Sequence, residues 1–122
     1  MNKSLATLAL TVVALFGLTA CASSDASPTI AVAADAVIVD VRTAAEYDGG
    51  HLEDAVNIDV QSPDFENLIT ALPLDGDYIV YCASGNRSGA AVAQMSDLGF
   101  ATVTDAGGVA EASAATGLPL VD

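Results

Sequence analysis

Hydrophobic and polar positions alternate along the chain in blocks that change period. Ala36-Val37-Ile38-Val39-Asp40-Val41 is a largely β-branched apolar run, which predicts a strand covered on both faces in a parallel sheet. Thr43-Ala44-Ala45-Glu46 follows in the form of a capping box, in which the threonine caps a helix and the glutamate three residues on caps back. Tyr47-Asp48-Gly49-Gly50 stops that helix, and Ala55-Val56-Asn57-Ile58 reads as a second short strand. Ser62-Pro63-Asp64 opens another helix, with a cap, a first-turn proline and an acid at the positive dipole end. Phe65, Leu68, Ile69 and Leu72 give it one apolar stripe, and Pro73 ends it. Tyr78-Ile79-Val80-Tyr81-Cys82 is the next strand, and Ser88 to Leu98 the next helix, stopped by Gly99 at its C′ position. Ala101 to Thr104 makes a further strand and Val109 to Thr116 a last, weak helix. Strands alternating with helices predict an α/β fold with a central, mainly parallel sheet. The sequence has no internal repeat and no nucleotide-binding glycine pattern.

The apolar run Leu5 to Leu18 does not belong to that alternation. Behind Lys3 and about 14 residues long, it is too short for an ordinary membrane span and fits the apolar region of a signal peptide. It ends in Leu18-Thr19-Ala20-Cys21, which resembles the lipobox of bacterial lipoproteins. The resemblance implies that residues 1–20 are a leader and that Cys21 is lipidated as the first mature residue. The protein is then held by its lipid on the extracytoplasmic side of a bacterial membrane. Residues 21–28 read as a flexible tether, and 29–122 as one globular domain.

Charge narrows the function classes. Sixteen acids face three bases, a formal net charge of −13. That balance excludes nucleic-acid binding, which needs a basic face to neutralise phosphates, and favours a soluble monomer. Of the two cysteines, lipidation consumes Cys21 and leaves Cys82 without a disulfide partner. An unpaired cysteine in an exported chain suggests a reactive thiol, and the bland reading is a buried inert one. Removing the leader also leaves Arg42 and Arg87 as the only cationic side chains of the mature chain.

One of those cations lies five residues after Cys82. The thiol stands at the carboxyl end of a predicted strand, and the loop Ala83 to Arg87 leads directly into a helix. Open α/β sheets place their sites at such ends. Amides at the helix start attract an anion and lower a thiol pKa, and a neighbouring arginine lowers it further. Gly85 allows the loop a positive φ, so that successive N–H groups converge on the sulfur.

Asp40-Val41-Arg42, Glu46-Tyr47, Gly50-His51-Leu52, Ala55-Val56-Asn57-Ile58, Tyr81-Cys82-Ala83-Ser84-Gly85-Asn86-Arg87-Ser88, Gly107-Gly108 and Gly117-Leu118-Pro119 together resemble the ordered signatures of a single-domain rhodanese. The resemblance runs from about Val37 to Val121. It implies a rhodanese-like fold with helices on both faces of the sheet, and a sulfurtransferase that needs no cofactor or metal. Cys82 is then the nucleophile that accepts sulfur as a persulfide. The donor is a small sulfur anion such as thiosulfate, and the acceptor a thiol or a cyanide-like nucleophile. The amides of Ala83, Ser84, Gly85, Asn86 and Ser88 cradle the persulfide, Arg87 binds the donor's anionic end, and Ser84 and Asn86 tune the acceptor. The alternative is a noncatalytic binding module of the cell envelope. Cysteine phosphatases use Cys-x5-Arg, one residue longer than the Cys-x4-Arg here, so a phosphatase is the weaker fit.

The remaining motif residues read as structural. His51 belongs to a turn, Asp40 bonds loop backbone, and Arg42 with Glu46 has the spacing of a helical ion pair. The stretch from Pro28 to Val37 is shorter than the strand and helix with which the family usually begins. Asp54 stands where a glycine is common, and aspartate is among the residues that tolerate a left-handed backbone. The aromatic often found after the paired glycines is absent.

Overall fold

The computed structural model describes residues 28–122. The expected leader, Cys21 and most of the expected tether lie outside the described residues. In chain order the elements are β1 (Val37–Asp40), α1 (Ala44–Asp48), β2 (His51–Leu52), β3 (Val56–Asn57), α2 (Phe65–Ile69), β4 (Asp77–Cys82), α3 (Asn86–Asp97), β5 (Thr102–Gly108), α4 (Val109–Thr116) and β6 (Leu120–Val121). The main sheet has the order β3-β1-β4-β5, with every pairing parallel. A second, two-stranded sheet pairs β2 with β6 antiparallel.

Period-2 alternation explains why the central strands are apolar throughout. Val39, Val41, Tyr78, Val80 and Cys82 point to one face, where Phe65 and Ile69 of α2 and Ala91 and Met95 of α3 cover them. Ile38, Ile79 and Tyr81 point to the other, packed with Leu52, Ala55 and Ala112 of α4. Helices therefore lie on both faces. Cys82 is on the α3 side and Tyr81 on the α4 side.

Several local expectations hold in detail. Thr43 and Glu46 form the full capping box at α1, Gly85 and Gly99 have φ of 99° and 101°, and Asp54 takes φ 63°. Others need correction. The segment Ser62-Pro63-Asp64 does not cap a helix: Ser62 Oγ accepts from the Asp64 amide at 3.2 Å and Ser62 O accepts from the Phe65 amide at 3.1 Å. This turn delays α2 to Phe65. The helix has only five residues and seats the Phe65–Ile69 row, while Leu68 is left 50% exposed. Helix α3 starts two residues early, because the Gly85 turn already sets its first N–H groups. Strand β5 runs on to Gly108, carried past Thr104 by its pairing with β4 through Cys82↔Gly108.

Before β1, the described residues contain a turn at residues 34–35 and no strand or helix. The Ile30 amide donates to Ala115 O at 2.9 Å, so this shortened segment ties down across α4. A cavity of about 470 Å³ opens where it thinly covers β5 and α4, lined by Ile30, Ala106 and Ala115 among others. None of its lining residues belongs to the Cys82 loop.

Candidate active site

Strand β4 delivers Cys82 to the C-terminal edge of the sheet, and the chain turns through Ala83, Ser84 and Gly85 into α3. Cys82 is 1% exposed, so the sulfur lies in the bed of the loop. The Gly85 amide donates to Sγ at 2.9 Å, and Ser88 Oγ lies 3.5 Å from it. Burial pushes the Cys82 thiol up, but the Ser88 hydroxyl and the amides of Ser88, Gly85 and Ser84 outweigh it and hold the thiol below its ordinary value. The 12-residue α3 begins at this point, so its positive end faces the sulfur.

The paired glycines explain themselves here. Cys82 pairs with Gly108 across a register shift between Val80 and Cys82, so the end of β5 runs beneath the loop. A Cβ on Gly108 would stand 2.6 Å from Ala83 O, and one on Gly85 would stand 3.7 Å from Gly107 Cα. At Gly108 only bare backbone lets strand and loop approach this closely, whereas Gly107 and Gly85 are called for by their φ of 76° and 99°.

Of the sequence-predicted site residues, the structure gathers Cys82 with the amides of Ser84, Gly85 and Ser88. Ala83 and Asn86 are exposed and shape the loop, and no bond from their amides to the sulfur is seen. Ser84 and Asn86 have exposed side chains at the rim. Arg87 stands beside the loop, close enough for its charge and that of Cys82 to influence each other. Its two terminal nitrogens donate to Glu46, Nη1 to Oε2 at 2.8 Å and Nη2 to Oε1 at 2.8 Å.

That contact corrects one expectation. Glu46 does not pair with Arg42. Arg42 precedes α1, so helical i, i+4 spacing does not govern it. Its guanidinium turns to the buried Asp40 carboxylate, with Nη2 to Oδ2 at 2.7 Å, and also donates to Gly50 O at 2.7 Å. Asp40 further accepts from the Arg42 amide at 2.9 Å and from the Tyr81 hydroxyl at 2.7 Å. Asp40 is fully buried, and a buried carboxylate needs such a set of donors. This network lies across the sheet from Cys82 and braces the turn after α1. His51 belongs to the same structural layer: its ring stacks on Tyr47 at 3.7 Å, and Nδ1 donates to Tyr47 O at 2.9 Å.

Two contacts of the site escaped the sequence reading. One is the Ser88 hydroxyl, whose only signal was a serine in the first turn after the loop. The other is Glu46, disguised as a capping residue. Among the described residues, no three His, Cys, Asp or Glu side chains cluster closely enough to hold a metal ion.

Comparison with known proteins agrees with this geometry. Residues 29–115 match the family model described as "Rhodanese-like domain". The chain is 36% identical over 72 residues to the thiosulfate sulfurtransferase PspE of Escherichia coli, covering 58% of this chain and 68% of that protein. It is 33% identical over 99 residues to a sulfurtransferase of Allochromatium vinosum, covering 81% and 91%. A solved structure described as a rhodanese with anions from E. coli superposes with a TM-score of 0.61 at 30% identity, covering 71% of this chain and 98% of that one. With the match running through both covering layers and the cysteine loop, the chain belongs to the rhodanese-like domain family.

Proposed function

We propose that the protein is a sulfurtransferase that carries sulfane sulfur on Cys82. The Cys82 thiolate attacks the outer sulfur of a donor such as thiosulfate. The donor's S–S bond breaks, its electron pair leaves with sulfite, and a persulfide remains on Cys82. A thiolate or cyanide ion then attacks the outer sulfur of the persulfide and takes it away, returning the Cys82 thiolate. Atoms and charge balance in both steps. The Ser84, Gly85 and Ser88 amides hold the negative charge throughout. Arg87 has five N–H donors, of which Glu46 takes two; the remaining ones serve the donor's anionic end.

The observation that carries this reading is the buried Cys82 Sγ at the start of α3, accepting from the Gly85 amide at 2.9 Å and 3.5 Å from Ser88 Oγ, in a chain related to thiosulfate sulfurtransferases. Mass spectrometry after thiosulfate treatment should find one added sulfur on the peptide containing Cys82. A Cys82→Ser variant should lose sulfur transfer by several orders of magnitude; retained activity would leave a noncatalytic binding module as the better reading. The proposal also anchors the protein through lipid on Cys21, outside a bacterial membrane. Fatty-acid labelling should reach the wild type and be lost in Cys21→Ala, and an unlabelled, fully soluble wild type would remove the anchor from the scheme.

A further inference from the structure

We infer that Glu46 is a positioning residue for Arg87, holding its guanidinium in the orientation that receives the donor. The inference rests on the donor-binding role proposed above for Arg87. Glu46 and Arg87 are 41 residues apart, yet they meet in a two-bond fork. The carboxylate is fixed independently of the arginine, since Oε2 also accepts from the Thr43 amide and the Thr43 hydroxyl, both at 3.0 Å. The capping box of α1 therefore sets the acid first, and Arg87 is the group brought to it.

A free arginine loses much rotamer freedom when it binds an anion. Glu46 takes that loss before the donor arrives. The fork occupies one N–H on each terminal nitrogen and leaves Nε–H with one N–H on each of Nη1 and Nη2. One edge of the guanidinium is thus held by the protein and another remains open. Arg42, held by Asp40, reinforces the arrangement, because its bond to Gly50 O steadies the turn at the far end of α1.

Glu46 also offsets the charge of Arg87, so position and charge must be separated. Glu46→Asp keeps the charge and withdraws the carboxylate by one methylene. Glu46→Gln keeps the reach, removes the charge and leaves one acceptor oxygen in place of two. Ala45→Gly weakens α1 at an exposed position while Thr43 and Glu46 keep all their bonds, and serves as the control for α1.

With thiosulfate and cyanide as substrates, Glu46→Asp should raise KM for thiosulfate by about tenfold with kcat within about twofold of wild type. Glu46→Gln should raise it less, because Arg87 regains its full attraction for an anion. A second readout does not depend on turnover. Phenylglyoxal should modify Arg87 several-fold faster in both Glu46 variants than in wild type, with Arg42, buried against Asp40, as the internal reference in the same digest. Unchanged KM and unchanged labelling in Glu46→Asp would overturn the inference. A KM increase in Ala45→Gly as large as in Glu46→Asp would also overturn it, by assigning the effect to the stability of α1. If the wild type transfers no sulfur while Arg87 labelling still depends on Glu46, the proposed reaction fails and the hold of Glu46 on Arg87 stands.

Discussion

The reactivity of Cys82 is decided by which of two opposed effects prevails on one sulfur atom. Burial alone favours the neutral thiol, and here the Ser88 hydroxyl with three backbone amides overcomes it. Ser88 is itself fully buried and lies 3.0 Å from Gly85 O and 3.4 Å from Gly107 O, so it ties sulfur, loop and β5 together. Ser88→Ala removes the only side-chain bond that favours the thiolate. The pH at which Cys82 becomes half-alkylated by iodoacetamide, followed on its own peptide, should therefore rise in that variant. An unchanged inflection would assign the shift to the amides alone. The sign for stability is fixed by the same shift. The folded thiol pKa lies below the unfolded one, so ionisation adds stability that is fully present above the unfolded value. That stability is lost as pH falls through the folded value. Cys82, Gly85 and Arg87 were readable from their neighbours in sequence, because a strand end, a positive φ and a helix start are local. The partner of Arg87 was not, since no local rule connects residues 41 positions apart.

The same division runs through the elements. Strands β1 and β4 were visible as apolar runs because both faces are covered, and α1 was visible because its capping box is a four-residue signal. The two-residue strands β2 and β6 carry no pattern of their own, and they pair only because the folded chain brings His51 beside Val121 and Leu52 beside Leu120. The reach of β5 beyond Thr104 was hidden for a related reason: Asp105-Ala106-Gly107-Gly108 has weak strand propensity and is held in the sheet by β4. That borrowed segment supports the sulfur loop. A Cβ at position 108 would come within 2.6 Å of Ala83 O and would also meet the Glu111 carboxylate. Since Gly108 already has an ordinary φ of −76°, Gly108→Ala tests contact and not backbone strain. Displacing the loop by a few tenths of an ångström or more should lower kcat/KM for sulfur transfer by about 10²-fold. The circular dichroism spectrum should stay native. Loss of secondary structure in parallel with activity would assign Gly108 to folding instead.

At the scale of the whole molecule, charge sets the terms on which a donor arrives. Between Pro28 and Asp122 fifteen carboxylate side chains face two guanidinium groups, and both of those are already paired, Arg42 with Asp40 and Arg87 with Glu46. Arg87 draws Glu46, with help from the Thr43 amide, down to a pKa of about 2, so the pair stays ionised throughout the neutral range. A dianion such as thiosulfate therefore meets a repulsive field until it reaches the loop. There, attraction comes from amides at close range and from the open edge of Arg87. Salt separates the two contributions, because the Debye length is about 8 Å at physiological ionic strength and shorter above it. Distant repulsion fades first and the close contact persists. The expected outcome is that kcat/KM for thiosulfate rises from low to moderate ionic strength. Arg87→Ala should lower it at every salt concentration by about 1.5–3 kcal/mol, the range for a lost hydrogen bond to a charged group. Arg87→Lys should recover only part of that, since the charge survives but the planar fork to Glu46 does not. A kcat/KM that falls with salt would mean that local attraction outweighs the acidic surface. One that ignores both salt and Arg87 would leave the amides and Ser88 as the whole of the donor site.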